Sequence, residues 1–344
     1  MPNGRLFIEQ GASPARALAA GGGLWTVLSP EQPVAIYATQ LRGEALVLGR
    51  HQRVSQALNP DAARRRPVLR RASGGATVDV GDGVSYVALA LRERSVLMAC
   101  PPQRILNRNV RGALQGLRRA GVQANYFGRD FLSFEARPAV YVGWDAGQDG
   151  HVLLEFFVSE RRSCWPDASF LGYPPRQEDP LRTRPPTTLE EAGAELTGPL
   201  MLEQFAHGYS TGYKVEWRSE KATNLSMPDL LPVPPREHPR EFELTWSVPL
   251  EESIGFLSAG VALDAAGKFS QLVLAGDYFA HRACGETLER MLIGVTPSRE
   301  LVGRAVDTAF AQPEHDFEGV RNLKSLQEVI LDAADLAKRS LDVQ

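Results

Sequence analysis

The stretch Arg70-Arg71-Ala72-Ser73-Gly74-Gly75-Ala76-Thr77-Val78 gathers residue types that suit an anion. Consecutive small residues let backbone N–H groups approach a ligand oxygen closely. The flanking guanidinium groups offer paired donors to phosphate or carboxylate. The stretch lacks the Gly-Lys-Ser/Thr end of a P-loop and the spacing of a dinucleotide fingerprint. Read alone, Ser-Gly-Gly ahead of a strand is also a tight turn. Cys164, in Arg162-Ser163-Cys164-Trp165-Pro166, is a candidate nucleophile, although a lone loop cysteine is more commonly incidental. Cys100, Cys164 and Cys284 are odd in number and far apart, so neither a disulfide framework nor a metal site is expected.

The elements that would hold these residues are read from apolar runs and their punctuation. Residues 34–38, 45–48, 76–80 and 84–91 read as strands, the last two joined by Gly81-Asp82-Gly83. Pro101 and Pro102 open a helix in which Leu106, Val110, Ala113, Leu114 and Leu117 recur at helical spacing up to Gly121. Strands follow at 122–127, 131–134, 140–144 and 151–158. Helices are expected at 14–21, from Thr188 and over 198–207. Five prolines between 228 and 239 mark a linker at 226–240. Beyond it, strands at 242–248, 258–263 and 271–274 and helices at 286–293, 299–310 and 323–336 make a small α+β unit.

The chain has 344 residues, 43% hydrophobic and 23% charged, which fits a folded protein of two domains and excludes a disordered or fibrous one. No apolar run reaches the length of a membrane helix, and residues 1–16 do not read as a signal peptide, so a cytoplasmic setting is expected. The net charge of −3 conceals an asymmetry. Residues 1–137 hold 19 Arg, no Lys and 9 acidic residues, a balance of +10, and the remainder balances at −13. A basic half suits a negatively charged partner. The arginines are scattered and no nucleic-acid-binding motif accompanies them, so nucleic acid is not the expected partner.

Taken in order, these stretches resemble the lipoate–protein ligase family of the biotin/lipoate ligase and octanoyltransferase superfamily. The resemblance rests on Leu48-Gly49-Arg50-His51-Gln52, Arg70–Val78, Gly128-Arg129-Asp130, the Arg182–Leu189 segment and Gly276-Asp277-Tyr278-Phe279, and spans about residues 12–335. It implies an α+β fold: a larger mixed-sheet ligase/transferase-type domain over 1–225 and a small accessory domain over 241–344. It implies transfer of lipoate or octanoate, through an acyl-adenylate made with ATP and Mg2+, to a lysine of a lipoyl domain. The partners so implied are lipoyl domains of 2-oxoacid dehydrogenases or glycine-cleavage H protein. By resemblance Arg70, Ser73, Gly74, Gly75, Ala76, Val78, Gly128, Arg129 and Ala139 line the acyl and nucleotide site, with Asp130 beside the adenylate or metal.

The sequence departs from the family pattern at its reactive centre. Ala76 replaces the third glycine of the motif. The family's Lys-[Ile/Val]-x-Gly strand is matched by Arg137-Pro138-Ala139-Val140-Tyr141-Val142-Gly143, with Ala139 at or next to the lysine position. No lysine precedes Lys214, and Arg137 is the nearby cation that could substitute. Two readings therefore stand side by side: a lipoyl or octanoyl ligase or transferase, and a degenerate homologue that binds the acyl group, nucleotide or lipoyl domain without turnover.

Overall fold

A computed structural model of the chain describes residues 1–147, 149–173, 183–225, 243–312, 315 and 317–342. Its larger part is organised on an eight-stranded mixed sheet. In chain order the strands are β1 (Asn3–Ala12), β2 (Val34–Leu41), β6 (Val84–Leu91), β7 (Ala124–Tyr126), β8 (Phe131–Phe134), β9 (Arg137–Ala146), β10 (Val152–Ser159) and β11 (Glu216–Glu220). Their spatial order is β11-β1-β2-β6-β10-β9-β8-β7. The β11, β1 and β2 strands run parallel and the rest antiparallel. A second small sheet, in the order β4-β3-β5, is built from β3 (Ala45–Leu48), β4 (Val68–Arg70) and β5 (Val78–Val80).

The central strands are covered on both faces, which is why β6 and β10 read as nearly unbroken apolar runs. One face carries α4 (Ile105–Arg119) and α5 (Gly198–Tyr213), packed on Ile36, Leu89, Val142 and Phe156. The other carries α1 (Pro14–Gly23) and the small sheet, packed on Tyr37, Tyr86, Tyr141 and Phe157. The short helices α2 (Val54–Ala57) and α3 (Pro60–Arg65) lie between β3 and β4 in sequence.

From residue 243 the chain builds its own core. β12 (Thr245–Trp246) and β13 (Leu250–Glu251) pair in succession with β14 (Phe256–Leu263), which also pairs with β15 (Phe269–Gly276). The helices α6 (Arg282–Leu292), α7 (Arg299–Phe310) and α8 (Lys324–Asp342) bury Leu288, Val306 and Ile330 against that sheet. A short ladder of β16 (Phe279–Ala280) with β17 (Phe317–Glu318) leads back to the larger part, where Ala146 bridges to His281. Ile254 and Phe279 belong to the core beneath α4 and α5.

Three expected elements differ. The strand foreseen at 76–80 begins only at Val78, because Ala76 turns its carbonyl to the Arg71 guanidinium. The helix foreseen from Thr188 is a series of turns, in which Thr188 Oγ1 accepts the Glu191 N–H and Gly193 takes φ +76°. Of the strand foreseen at 242–248, the described residues form a strand at Thr245–Trp246, extended by the Ser247 N–H to the Ala259 carbonyl. The 226–240 linker lies outside the described residues.

Candidate functional site

The small sheet holds both ends of the Arg70–Val78 segment: Arg70 closes β4 and Val78 opens β5, each paired with β3. Between them the chain arches onto β9. Arg71 fixes the arch from within and is only 2% exposed. Its Nε donates to Ser73 Oγ (3.1 Å) and its Nη1 to the Val47 carbonyl (3.2 Å). Its Nη2 donates to the Gly74 and Ala76 carbonyls and to Tyr141 Oη, at 2.7, 2.8 and 2.8 Å. The guanidinium also lies 4.8 Å from the Tyr141 ring centroid. Arg70 turns the other way: its Nη1 meets the carbonyls of Gly49, Arg50 and Gln52 and ties down the turn after β3.

The amide groups of the arch are donated inward. Ser73 N–H bonds Glu155 Oε2 (2.7 Å), Gly74 N–H the Trp144 carbonyl (3.1 Å) and Gly75 N–H the Tyr278 carbonyl (3.0 Å). Close approach depends on the glycines here. A Cβ on Gly74 would overlap the Tyr278 carbonyl, and one on Gly75, at φ +90°, would overlap Tyr141 Oη. Glu155 is fully buried beneath the arch and also accepts from Tyr86 Oη (2.6 Å). Burial and this carboxylate together hold the Tyr86 hydroxyl well above its ordinary range. A carboxylate thus sits where the small-residue loop would offer its amides to a phosphate.

Gly128 and Arg129 lie beside a neighbouring cavity of about 390 Å³ between the two parts of the chain. Its walls include Arg104, Leu106, Ile254, Phe279 and Glu318. Phe279 connects the two regions, since its ring also stands against Gly75. Glu318 accepts from Trp144 Nε1 at 3.1 Å. Its lining joins exposed Arg104 and Gly128 to buried Leu106, Ile254 and Phe279.

The remaining candidates are dispersed. Asp130 is fully buried, with its backbone carbonyl bonded to the Val142 N–H (2.8 Å). Ala139 is 3% exposed, and Val140 belongs to the core beneath α4 and α5. Arg137 is pinned at the start of β9 by the Pro185 and Pro186 carbonyls and Glu191, about 20 Å of strand from Gly143. Val78 is buried in the small sheet's core. Cys164 is buried, donates toward the Phe157 carbonyl, and has its thiol pushed up to about 12 by burial. That leaves it a protonated, poor nucleophile at neutral pH. Among the described residues no three His, Cys, Asp or Glu side chains come together as a metal site. With Glu155 under the arch and the Ser73, Gly74 and Gly75 amides donated to protein acceptors, these three amides do not fit a phosphate of ATP.

Sequence reasoning passed over Glu155 and gave no role to Tyr141 or Gln52, although both lie in stretches that carry the resemblance. Glu155 had a signal: it is the one charged residue in the apolar run Val152–Val158, and a buried carboxylate needs donors. Tyr141 breaks an aliphatic strand on the same face as Ala139 and Gly143. Gln52 accepts from Gly49 N–H and Thr77 Oγ1 and donates to Asp277 Oδ1, a set of partners no local pattern reveals.

No protein-family model and no curated protein matches the sequence. Solved structures are similar in fold. LipL1 of P. falciparum, solved in complex with lipoate, superposes at a TM-score of 0.66 over 96% of this chain and 99% of its own, at 12% identity. The bipartite lipoate–protein ligase of Thermoplasma acidophilum, described with its E2 lipoyl domain, matches 64% of this chain and 88% of its own at a TM-score of 0.51 and 13% identity. A lipoate–protein ligase A bound with ATP covers 64% of this chain and 89% of its own, at a TM-score of 0.50 and 13% identity. The chain therefore has the lipoate–protein ligase fold, its C-terminal part included in the LipL1 match.

Proposed function

We propose that this protein uses the lipoate–protein ligase fold to bind a lipoyl-type acyl group, or the lipoyl domain that carries it, without activating the acyl group itself. One observation carries the reading. The amides of Ser73, Gly74 and Gly75 all bond protein acceptors, one of them the buried Glu155 carboxylate. Adenylation needs positive charge and free donors where negative charge develops. Here that place holds a carboxylate, and the strand facing it carries Ala139, Tyr141 and Gly143 but no lysine. Arg137 is engaged elsewhere, so its cation does not replace the lysine. The similar solved proteins are described with lipoate, with ATP and with a lipoyl domain, which supports the choice of ligand class and partner. The partners proposed are lipoyl domains of 2-oxoacid dehydrogenases or glycine-cleavage H protein.

The test incubates the chain with ATP, Mg2+, lipoate or octanoate and an unmodified lipoyl domain, followed by mass spectrometry. Neither acyl-adenylate nor acylated domain is expected. Calorimetric titration with unmodified and lipoylated domains should show binding. Stoichiometric adenylate, or catalytic acylation of the domain, overturns the proposal, as does the absence of binding to either form.

A further inference from the structure

The outer face of α4 carries an arginine stripe that neither the fold nor the candidate site uses. Arg108, Arg111, Gln115 and Arg118 follow at spacings of three and four, so they share one side of the helix, and Arg104 stands just ahead of it at the N-cap. Leu106, Val110, Ala113 and Leu117 take the opposite side and are buried in the core. Arg104, Arg111 and Arg118 are exposed and Arg108 half-buried. The helix contains no acidic residue. Among the described residues no carboxylate pairs with any of these four guanidiniums, whereas Arg5, Arg16, Arg66 and Arg162 elsewhere each have one. Three like charges run along about 15 Å of one helix face, with a fourth at its N-cap, an arrangement that repels itself unless a partner neutralises it.

We propose that this stripe is the docking surface for a lipoyl domain whose contacting face carries carboxylates. The proposal rests on the reading given above for the protein's function and names the surface through which the partner is held. Guanidinium forks pair bidentately with carboxylates, and a row of them fixes orientation as well as attraction. Arg104, at the N-cap beside the stripe, also lines the 390 Å³ cavity with Leu106, Ile254 and Phe279. A domain seated along the stripe would therefore present its acyl-bearing lysine at the cavity mouth. Nucleic acid suits the surface less well. The rest of the chain, at −13 from residue 138 onward, would repel a long polyanion that a compact acidic face avoids.

The experiment titrates the full chain with a lipoyl domain of negative net charge, in lipoylated and unmodified forms, at about 0.05 M and about 0.5 M salt. Three proteins are compared: wild type, the pair Arg111→Glu with Arg118→Glu, and the pair Arg64→Glu with Arg65→Glu on α3, which changes net charge equally away from the stripe. The α4 pair is expected to weaken low-salt binding at least about tenfold, the α3 pair less than about twofold, and the gap should close at high salt. The pair Arg111→Gln with Arg118→Gln, which keeps the helix and removes only charge, should weaken binding in the same direction by less. Equal binding by wild type and the α4 pair places the docking face elsewhere while leaving the proposed function standing. Equal loss from both pairs reduces the effect to net charge and overturns the stripe. No binding of the lipoyl domain to wild type overturns both proposals. A random-sequence DNA duplex that outcompetes the domain, through the same two arginines, assigns the stripe to nucleic acid instead.

Discussion

Arg71 donates to five acceptors while nearly inaccessible to water, so its guanidinium sets the shape of the arch over β9. Lysine could not replace it, since one ammonium cannot span Ser73 Oγ, the Val47 carbonyl and the Gly74–Ala76 carbonyls together. Arg71→Lys is therefore expected to lower unfolding free energy by at least about 2 kcal/mol, because buried acceptors lose their donors. A urea midpoint at the wild-type value would show that the network contributes nothing. A second residue gives a pH dependence. Glu289 on α6 has its carboxyl pushed up to about 7, first by burial and then by Glu286 nearby. The folded state thus holds this proton more tightly than the unfolded chain. Its stabilising contribution is complete below about pH 4 and is lost as pH rises through 7. Glu289→Gln should leave stability unchanged at about pH 4 and raise it by about 1 kcal/mol above about pH 7.5, a figure reduced for partial exposure. A gain of equal size at both pH values would show that titration is not the cause. The chemistry-bearing loop was legible at this scale from residue types, but its purpose was not. Small residues and arginines look alike whether their donors face a ligand or, as here, Glu155 and the chain's own carbonyls.

At the level of elements, the contact between α4 and α5 is set by glycines whose role lies in the partner helix. A Cβ on Gly116 would come within 2.5 Å of the Phe205 Cα, and one on Gly208 would overlap the Gly112 carbonyl. Helix propensity alone predicts that Gly116→Ala stabilises by about 1 kcal/mol. The backbone contact opposes that gain, and Gly116→Val should destabilise by about 2–3 kcal/mol through overpacking against atoms that cannot rotate away. A thermal midpoint for Gly116→Val at or above wild type would refute the close-packing account. The two helices and the central strands were readable because their periodicity reports burial directly: α4 buries one side, and β6 and β10 bury both. The turns after Thr188 were not, since Thr188 caps Glu191 as it would at a true helix start and Gly193 then diverts the chain. The arginine stripe was visible in the sequence only as part of a basic half. It became a surface once the buried face of α4 fixed which way the arginines point.

The two parts of the molecule meet at a node that sequence order hides. Asp277 reads locally as a turn acceptor, and it does accept the Phe256 N–H at 3.0 Å. It also accepts from Tyr173 Oη (3.0 Å) and from Gln52 Nε2 (2.5 Å), 225 residues away, which in turn holds Gly49 and Thr77 beside the arch. Two further backbone bonds lie next to it: Gly276 N–H to the His51 carbonyl, and Gly75 N–H to the Tyr278 carbonyl. The arch therefore owes its amide partners to different bodies. Ser73 and Gly74 are held from within the larger part, by Glu155 and Trp144, and Gly75 is held by the C-terminal part. Weakening the node should separate them. In Asp277→Ala, hydrogen exchange at the Gly75 amide is expected to accelerate at least about tenfold, equivalent to about 1.4 kcal/mol of local opening. The Ser73 and Gly74 amides should keep wild-type protection, and Asp277→Asn, which retains an acceptor for Gln52, should fall between. Acceleration of all three amides together would mean that the arch and the interface open as one unit. Unchanged exchange at Gly75 would mean that Asp277 does not hold the two parts in contact.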